Sequence, residues 1–207
     1  MPLTRRASSL EPSFFEHLYQ RERDPWSFET SPYEDQKYRI TVEAIAKPRA
    51  TRCLEVGCSI GVLTCRLAAV TGRLVATDVS ATALEIAERR CADLSNVEFR
   101  QVSTPDESFQ GHFDLIVLSE IVYFWDDHDL DLVARGILRS LSPGGRLLLV
   151  HWLGETDYPK SGDDAVEALA ARLALGFSAA FASRTEKFRL DLWRREDSAS
   201  AAANRAD

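Results

Sequence analysis

From Cys53 onward, short apolar runs of β-type residues alternate with stretches whose apolar positions recur every three or four residues. This alternation predicts a parallel sheet with helices on both faces, an α/β fold. The strands are read at "RCLEV" (52–56), "RLVATD" (73–78), "NVEFRQV" (96–102), "DLIVLSE" (114–120) and "RLLLVHW" (146–152), with helices near 61–70, 81–94 and 128–141. In the last of these, Leu130, Val133, Ile137, Leu138 and Leu141 fall on one face, which is therefore expected to be buried. "LSPGG" (141–145) then ends that helix, because proline and glycine suit the central positions of a turn. A polar stretch, Gly154 to Gly162, leads to a helix near 163–175. Two β-like segments, 177–183 and 187–193, lie close enough in sequence to form an antiparallel hairpin that extends the sheet to seven strands.

Ahead of the first strand, helical patterns near 12–22 and 33–47 are joined by "RDPWSFETSP", where Pro25 and Pro32 break the helices. The expected organisation is a single domain: residues 1–50 as a helical lid across the carboxyl edge of the sheet, 51–195 as the core, and 196–207 as a small, polar, frayed tail.

Composition narrows the function. A formal net charge of −7 with scattered Lys and Arg lacks the basic surface that phosphate backbones require, so nucleic acid is not the expected partner. No apolar run reaches the length of a bilayer span and no apolar stretch follows Arg5 and Arg6, so a cytoplasmic protein without integral membrane association is expected. Cys53, Cys58, Cys65 and Cys91 form no C-x-x-C pair and read as reduced, mostly buried thiols. His17, His112, His128 and His151 are widely spaced, and no metal is expected. The oligomeric state, monomer or homodimer, is left open.

The chemistry concentrates at "EVGCSIG" (55–61), where a strand ends in an acid, makes a glycine turn and opens a helix. Gly57, Ser59 and Gly61 fit acid-x-G-x-G-x-G, with serine at the middle glycine, rather than the dinucleotide spacing G-x-G-x-x-G. A pyrophosphate wants a helix N-terminus without a nearby carboxylate, whereas S-adenosylmethionine brings a sulfonium, an ammonium and a ribose, beside which Glu55 is tolerable. Asp78, ending strand two, is placed to accept from the ribose hydroxyls, and Val79 to pack on the adenine. Cys58 fills space within the turn.

With these features the sequence resembles the class I S-adenosylmethionine-dependent methyltransferases over nearly its whole length. More narrowly, "DPWSFETSPYEDQKY", "LEVGCSIGVLT", "FDLIVLSEIVYF" and "LSPGGRLLLVHW" resemble the nodulation-protein S (NodS-like) methyltransferases. The resemblance implies a Rossmann-like sandwich, S-adenosyl-L-methionine as cofactor, and N-methylation of an amino-sugar oligosaccharide related to nodulation. Ser103 and Thr104 fall where such enzymes often carry an aspartate for the adenine amino group, so a hydroxyl or carbonyl would take that contact here.

Methyl transfer needs alignment, exclusion of water and the handling of one proton. Ser119, Glu120 and Tyr123 end strand four: Ser119 is assigned to the cofactor, and Glu120 and Tyr123 to the acceptor, Glu120 taking the proton of an amine or instead holding the methionine ammonium. His151, ending strand five beside Trp152, is a third proton-transfer candidate. In the lid, Trp26, Tyr33, Glu34 and Lys37 would close the site, with Lys37 near the cofactor carboxylate; Trp26, Phe28 and Tyr38 have a packing role as their alternative. The leading reading is N-methylation of a small polar amine. O-methylation of a hydroxylated metabolite with His151 as base, and a non-catalytic cofactor-binding protein, stay open.

Overall fold

The computed structural model describes residues 4–103 and 105–197, so Thr104 and the tail from residue 198 lie outside the described residues. The strands are β1 Ala50–Val56, β2 Thr71–Asp78, β3 Val97–Gln101, β4 Phe113–Ser119, β5 Leu141–Trp152, β6 Phe177–Arg184 and β7 Phe188–Arg195. The helices are α1 Pro12–Arg21, α2 Pro32–Ile45, α3 Val62–Val70, α4 Ala81–Arg90, α5 Asp127–Ser140 and α6 Gly162–Leu173. The seven strands are ordered β3-β2-β1-β4-β5-β7-β6. Pairing is parallel between β1 and β2, β2 and β3, and β4 and β5. It is antiparallel where β7 meets β5 and β6, giving the expected terminal hairpin. Among the described residues no helix is long and apolar enough to cross a membrane.

The chain forms two compact units, Glu11–Ser108 and the described residues of Met1–Leu10 with Phe109–Asp207. In the first, β1–β3 carry α3 and α4, and the N-terminal helices pack onto these: α1 on α4 and α2 on α3. Tyr19, Ile60, Ala83 and Ile86 form a buried cluster joined by Phe15, Trp26, Phe28 and Val62, so the aromatics of the N-terminal segment are packed against the two helices that follow the glycine turn and β2. The starts of α2 and α4 are each fixed by a side chain that satisfies an otherwise unpaired amide: Ser31 accepts from the Glu34 amide and Ser80 from the Ala83 amide.

In the second unit, α5 starts at the Asp126 cap and α6 in a capping box between Ser161 and Asp164. Leu130, Val133 and Ile137 of α5 are buried as the spacing predicts, but Leu138 is 39% exposed. Leu141 belongs to β5 rather than to the helix, pairing with Phe113 before the register shifts to Leu115 opposite Arg146. "LSPGG" is thus an irregularity inside a long strand, with Gly144 at φ 72°. α4 likewise stops at Arg90, four residues before the predicted end, because Cys91 leaves the helix at ψ 16° and its carbonyl takes the Leu94 amide in a turn.

Gly136 of α5 sits under the ring of Phe109, and a Cβ there would fall 2.6 Å from a ring carbon. Helix propensity alone favours alanine over glycine by about 1 kcal/mol, but the buried ring has no room to yield. Gly136→Ala is therefore expected to destabilise the protein by ~1–3 kcal/mol, read as a lower denaturant midpoint at unchanged slope.

Candidate active site

The turn between β1 and α3 is held in left-handed backbone: Gly57 at φ 76°, Ser59 at φ 51° and Gly61 at φ 79°. The Gly57 and Cys58 amides both donate to the Thr77 carbonyl, at 2.8 and 2.9 Å, which ties the turn to β2. At Gly61 a Cβ would meet Ala87 of α4 at 3.0 Å, so glycine is required there by space as well as by φ. Ser59 has no such freedom, and a non-glycine residue in this region is held only where its surroundings over-determine it. Its amide donates to Asp78 Oδ2 at 2.8 Å, and the Tyr19 hydroxyl donates to its Oγ at 2.5 Å.

Asp78 also accepts from the Ser80 amide through Oδ1 at 2.9 Å, so one carboxylate joins the glycine turn to the start of α4. Burial raises its pKa, against the pull of the backbone amides. Glu55 is 2% exposed, and its Oε2 has no hydrogen-bond partner among the described residues. Burial pushes its carboxyl up to about 8, with the neighbouring Thr64 hydroxyl opposing and the Asp78 charge adding. Two buried acids beside a glycine turn reject an anion and would be relieved by a cation, so these residues fit the sulfonium and ammonium of S-adenosylmethionine and do not suit a pyrophosphate. Cys58 is buried within the turn, and burial raises its thiol pKa.

α1 adds residues that the sequence did not single out. Glu16 accepts from the hydroxyls of Thr82, at 2.6 Å, and Ser80, at 2.7 Å, and these bonds lower its carboxyl to about 2. Glu16 and Tyr19 are three residues apart, hence on one face of α1, and both reach the region around Asp78. That spacing was visible in the sequence; their target was not. Lys37 is 1% exposed and ion-paired with Glu34 at 2.7 Å, its Nζ lying 5.1 Å from the centre of the Tyr33 ring. Trp26 packs between Tyr19 and Phe28, with ring centres 5.7 and 5.5 Å away. Val79 is half-buried beside Asp78, whereas Ser103 is exposed and its amide bonds to Glu107 at 2.6 Å.

The second unit gathers the other candidates. Ser119 is the last residue of β4, and Glu120 follows at φ 53°, like Ser59 a non-glycine residue in left-handed backbone. Tyr123, in a single 3-10 turn, donates from its hydroxyl to Glu120 Oε2 at 3.3 Å. His151 is fully buried; its Nε2 accepts from the Val122 amide at 3.2 Å, which makes it a neutral imidazole holding the turn that carries Tyr123. Trp152, its neighbour, is half-buried. Tyr158, from the polar loop after β5, stacks on Tyr123 with ring centres 5.3 Å apart. That loop is held by the N-terminal segment: Arg6 bonds Asp157 through both backbone and side chain, and the Arg5 guanidinium donates to the Thr156 and Tyr158 carbonyls.

A mostly parallel sheet whose first strand ends in a strained, acid-lined glycine turn defines the class I methyltransferase fold. A crystal structure of the N-methyltransferase NodS from Bradyrhizobium japonicum WM9, in complex with S-adenosyl-L-homocysteine, shares it at a TM-score of 0.78 and 19% identity, covering 91% of this chain and 100% of that one. The model of the family described as nodulation protein S (NodS) matches residues 15–151, and the chain belongs to that family. Nodulation protein S of Rhizobium tropici is 30% identical over 127 residues, 60% of this chain and 53% of that protein. Cypemycin N-terminal methyltransferase of a Streptomyces species is 32% identical over 114 residues, 54% of this chain and 46% of that protein. The chain thus spans about half the length of these curated relatives.

The Glu55 carboxyl gives a pH signature. Unfolded, it ionises near 4.5; folded, it keeps its proton to about 8, so between these values the folded state binds more protons and stability falls as pH rises. Glu55→Gln keeps the shape without the ionisation. In denaturant titrations the parent should lose ~2 kcal/mol between pH 6 and pH 8 that the variant retains.

Proposed function

We propose that this protein transfers the methyl group of S-adenosylmethionine to the nitrogen of a small polar amine, an amino sugar in the reading that follows from its family. The observation that carries this is the pair of buried acids, Glu55 and Asp78, at a turn whose backbone is strained into a cradle. The names of two relatives, an N-methyltransferase and an N-terminal methyltransferase, favour nitrogen as the acceptor. When bound, the cofactor supplies an electrophilic methyl group. In this reading Asp78 holds the ribose with the acceptor capacity left beyond its two amide bonds, and Lys37 turns from Glu34 to the cofactor carboxylate. Helix α1 acts as the cover of the cradle through Tyr19 and Glu16, and α2 contributes Lys37.

Glu120 is the proton acceptor in this proposal. A protonated amine has no lone pair, and a half-buried carboxylate at a strand end can bind the ammonium and take one proton as the nitrogen attacks. Tyr123 orients that carboxylate through its hydroxyl, and the neutral His151 fixes the turn beneath Tyr123. The hydroxyl-acceptor reading with His151 as base has less support, because the Nε2 lone pair is already engaged by the Val122 amide. Labelled cofactor offered with a panel of amines and alcohols tests the proposal: methylated amines are expected, and methylated alcohols alone would overturn it.

Asp78→Asn should weaken S-adenosylhomocysteine binding by about tenfold or more in calorimetry, since an amide loses the charge and sets an NH₂ group against the Ser59 or Ser80 amide. Glu120→Gln should lower kcat by ~10²-fold while leaving affinity for S-adenosylhomocysteine within about twofold. That loss should shrink as pH rises, because more acceptor then arrives as the neutral amine.

A further inference from the structure

Cys65 and Cys91 are 26 residues apart in sequence, yet their sulfurs lie 2.8 Å from each other. Cys65 is the fourth residue of α3, closing its first turn, and is half-buried; Cys91, the residue that ends α4, is buried. Both lie close to Gly61 at the end of the glycine turn: the Cys65 amide donates to the Gly61 carbonyl at 3.1 Å, and the Cys91 thiol approaches the same oxygen at 3.9 Å. Arg90, whose Nε donates to the Ile60 carbonyl at 2.7 Å, places a cation beside the pair.

We propose that Cys65 and Cys91 form a reversible disulfide, a redox-sensitive clasp that joins α3 to α4 behind the cofactor turn. The oxidant is a low-molecular-weight disulfide such as oxidised glutathione. The Cys65 thiolate attacks one of its sulfurs, forming a mixed disulfide and expelling a glutathione thiolate. The Cys91 sulfur, as thiolate, then attacks Cys65 Sγ and expels the second glutathione. Two electrons pass to the reagent, and the two cysteine protons end on two glutathione thiols. The order follows from access: Cys65 is the thiol a solute can reach, while burial and the neighbouring Cys65 keep Cys91 protonated until the mixed disulfide forms.

The sulfurs need to approach by only about 0.8 Å to reach bonding distance. Both backbones are anchored, Cys65 by its bond to Gly61 and Cys91 by amide donation to Ala87 at 2.9 Å, so small side-chain rotations supply this movement and the turn keeps its shape. The clasp therefore closes a loop in the unfolded chain without deforming the cradle.

The test incubates the folded full-length protein with oxidised glutathione, followed by non-reducing peptide mass spectrometry, thermal denaturation and calorimetry with S-adenosylhomocysteine. Expected are a loss of about 2 Da in a species linking the Cys65 and Cys91 peptides, and a thermal midpoint raised by about 5 °C or more and reversed by dithiothreitol. Affinity for S-adenosylhomocysteine should stay within about threefold of the reduced protein. Cys65→Ser and, independently, Cys91→Ala should abolish the linked species and the gain in midpoint. A persistent glutathione adduct, a bridge to Cys53 or Cys58, failure to react while folded, or an affinity loss of about tenfold on bridging would each overturn the clasp.

Discussion

The cradle depends on one carboxylate. Asp78 receives the Ser59 amide on one oxygen and the Ser80 amide on the other, and so fastens the turn after β1 to the helix that follows β2. Without that acceptor Ser59 would have little reason to stay at a positive φ, and the start of α4 would lose one of the groups that satisfy its exposed amides. α1 then builds on the same point, with Tyr19 bonded to Ser59 and Glu16 to Ser80 and Thr82. The N-terminal helix is therefore docked by polar contacts to the turn as well as by the aromatic cluster of Tyr19, Phe15 and Trp26.

Burying charge without a full set of partners is unfavourable, and this chain does so at the positions the proposed chemistry would use. Glu55 is raised to about 8 and Asp78 is raised as well, both chiefly by burial. Lys37 and Glu34 are buried as a pair in α2, where the desolvation of both charges leaves little net stabilisation. Such arrangements make sense if a ligand completes them. Glu120 in left-handed backbone belongs to the same pattern, since it is strain placed at the end of a strand where a side chain must be aimed. In its own unit, the stack of Tyr123 on Tyr158, with Arg5 and Arg6 holding the loop, shows how the aromatic turn beside Glu120 is braced.

What the sequence determined by itself was the order and kind of the elements, because period-two and period-3.6 patterns are local properties of apolar spacing. The glycine turn was equally legible, since Gly57 and Gly61 mark backbone that other residues rarely adopt, and Asp78 at a strand end marked the acid. Boundaries moved where tertiary pairing outweighed local pattern: Leu141 left its helix because Phe113 offered it a strand partner, and Leu138 shares the helical spacing yet stays exposed. The contacts of Glu16 and Tyr19 with the turn, the use of the His151 lone pair by Val122, the stacking of Tyr158 and the meeting of Cys65 with Cys91 were decided only by the tertiary structure. Each joins residues distant in sequence, and sequence spacing carries no information about which distant side chains a folded chain brings within bonding distance.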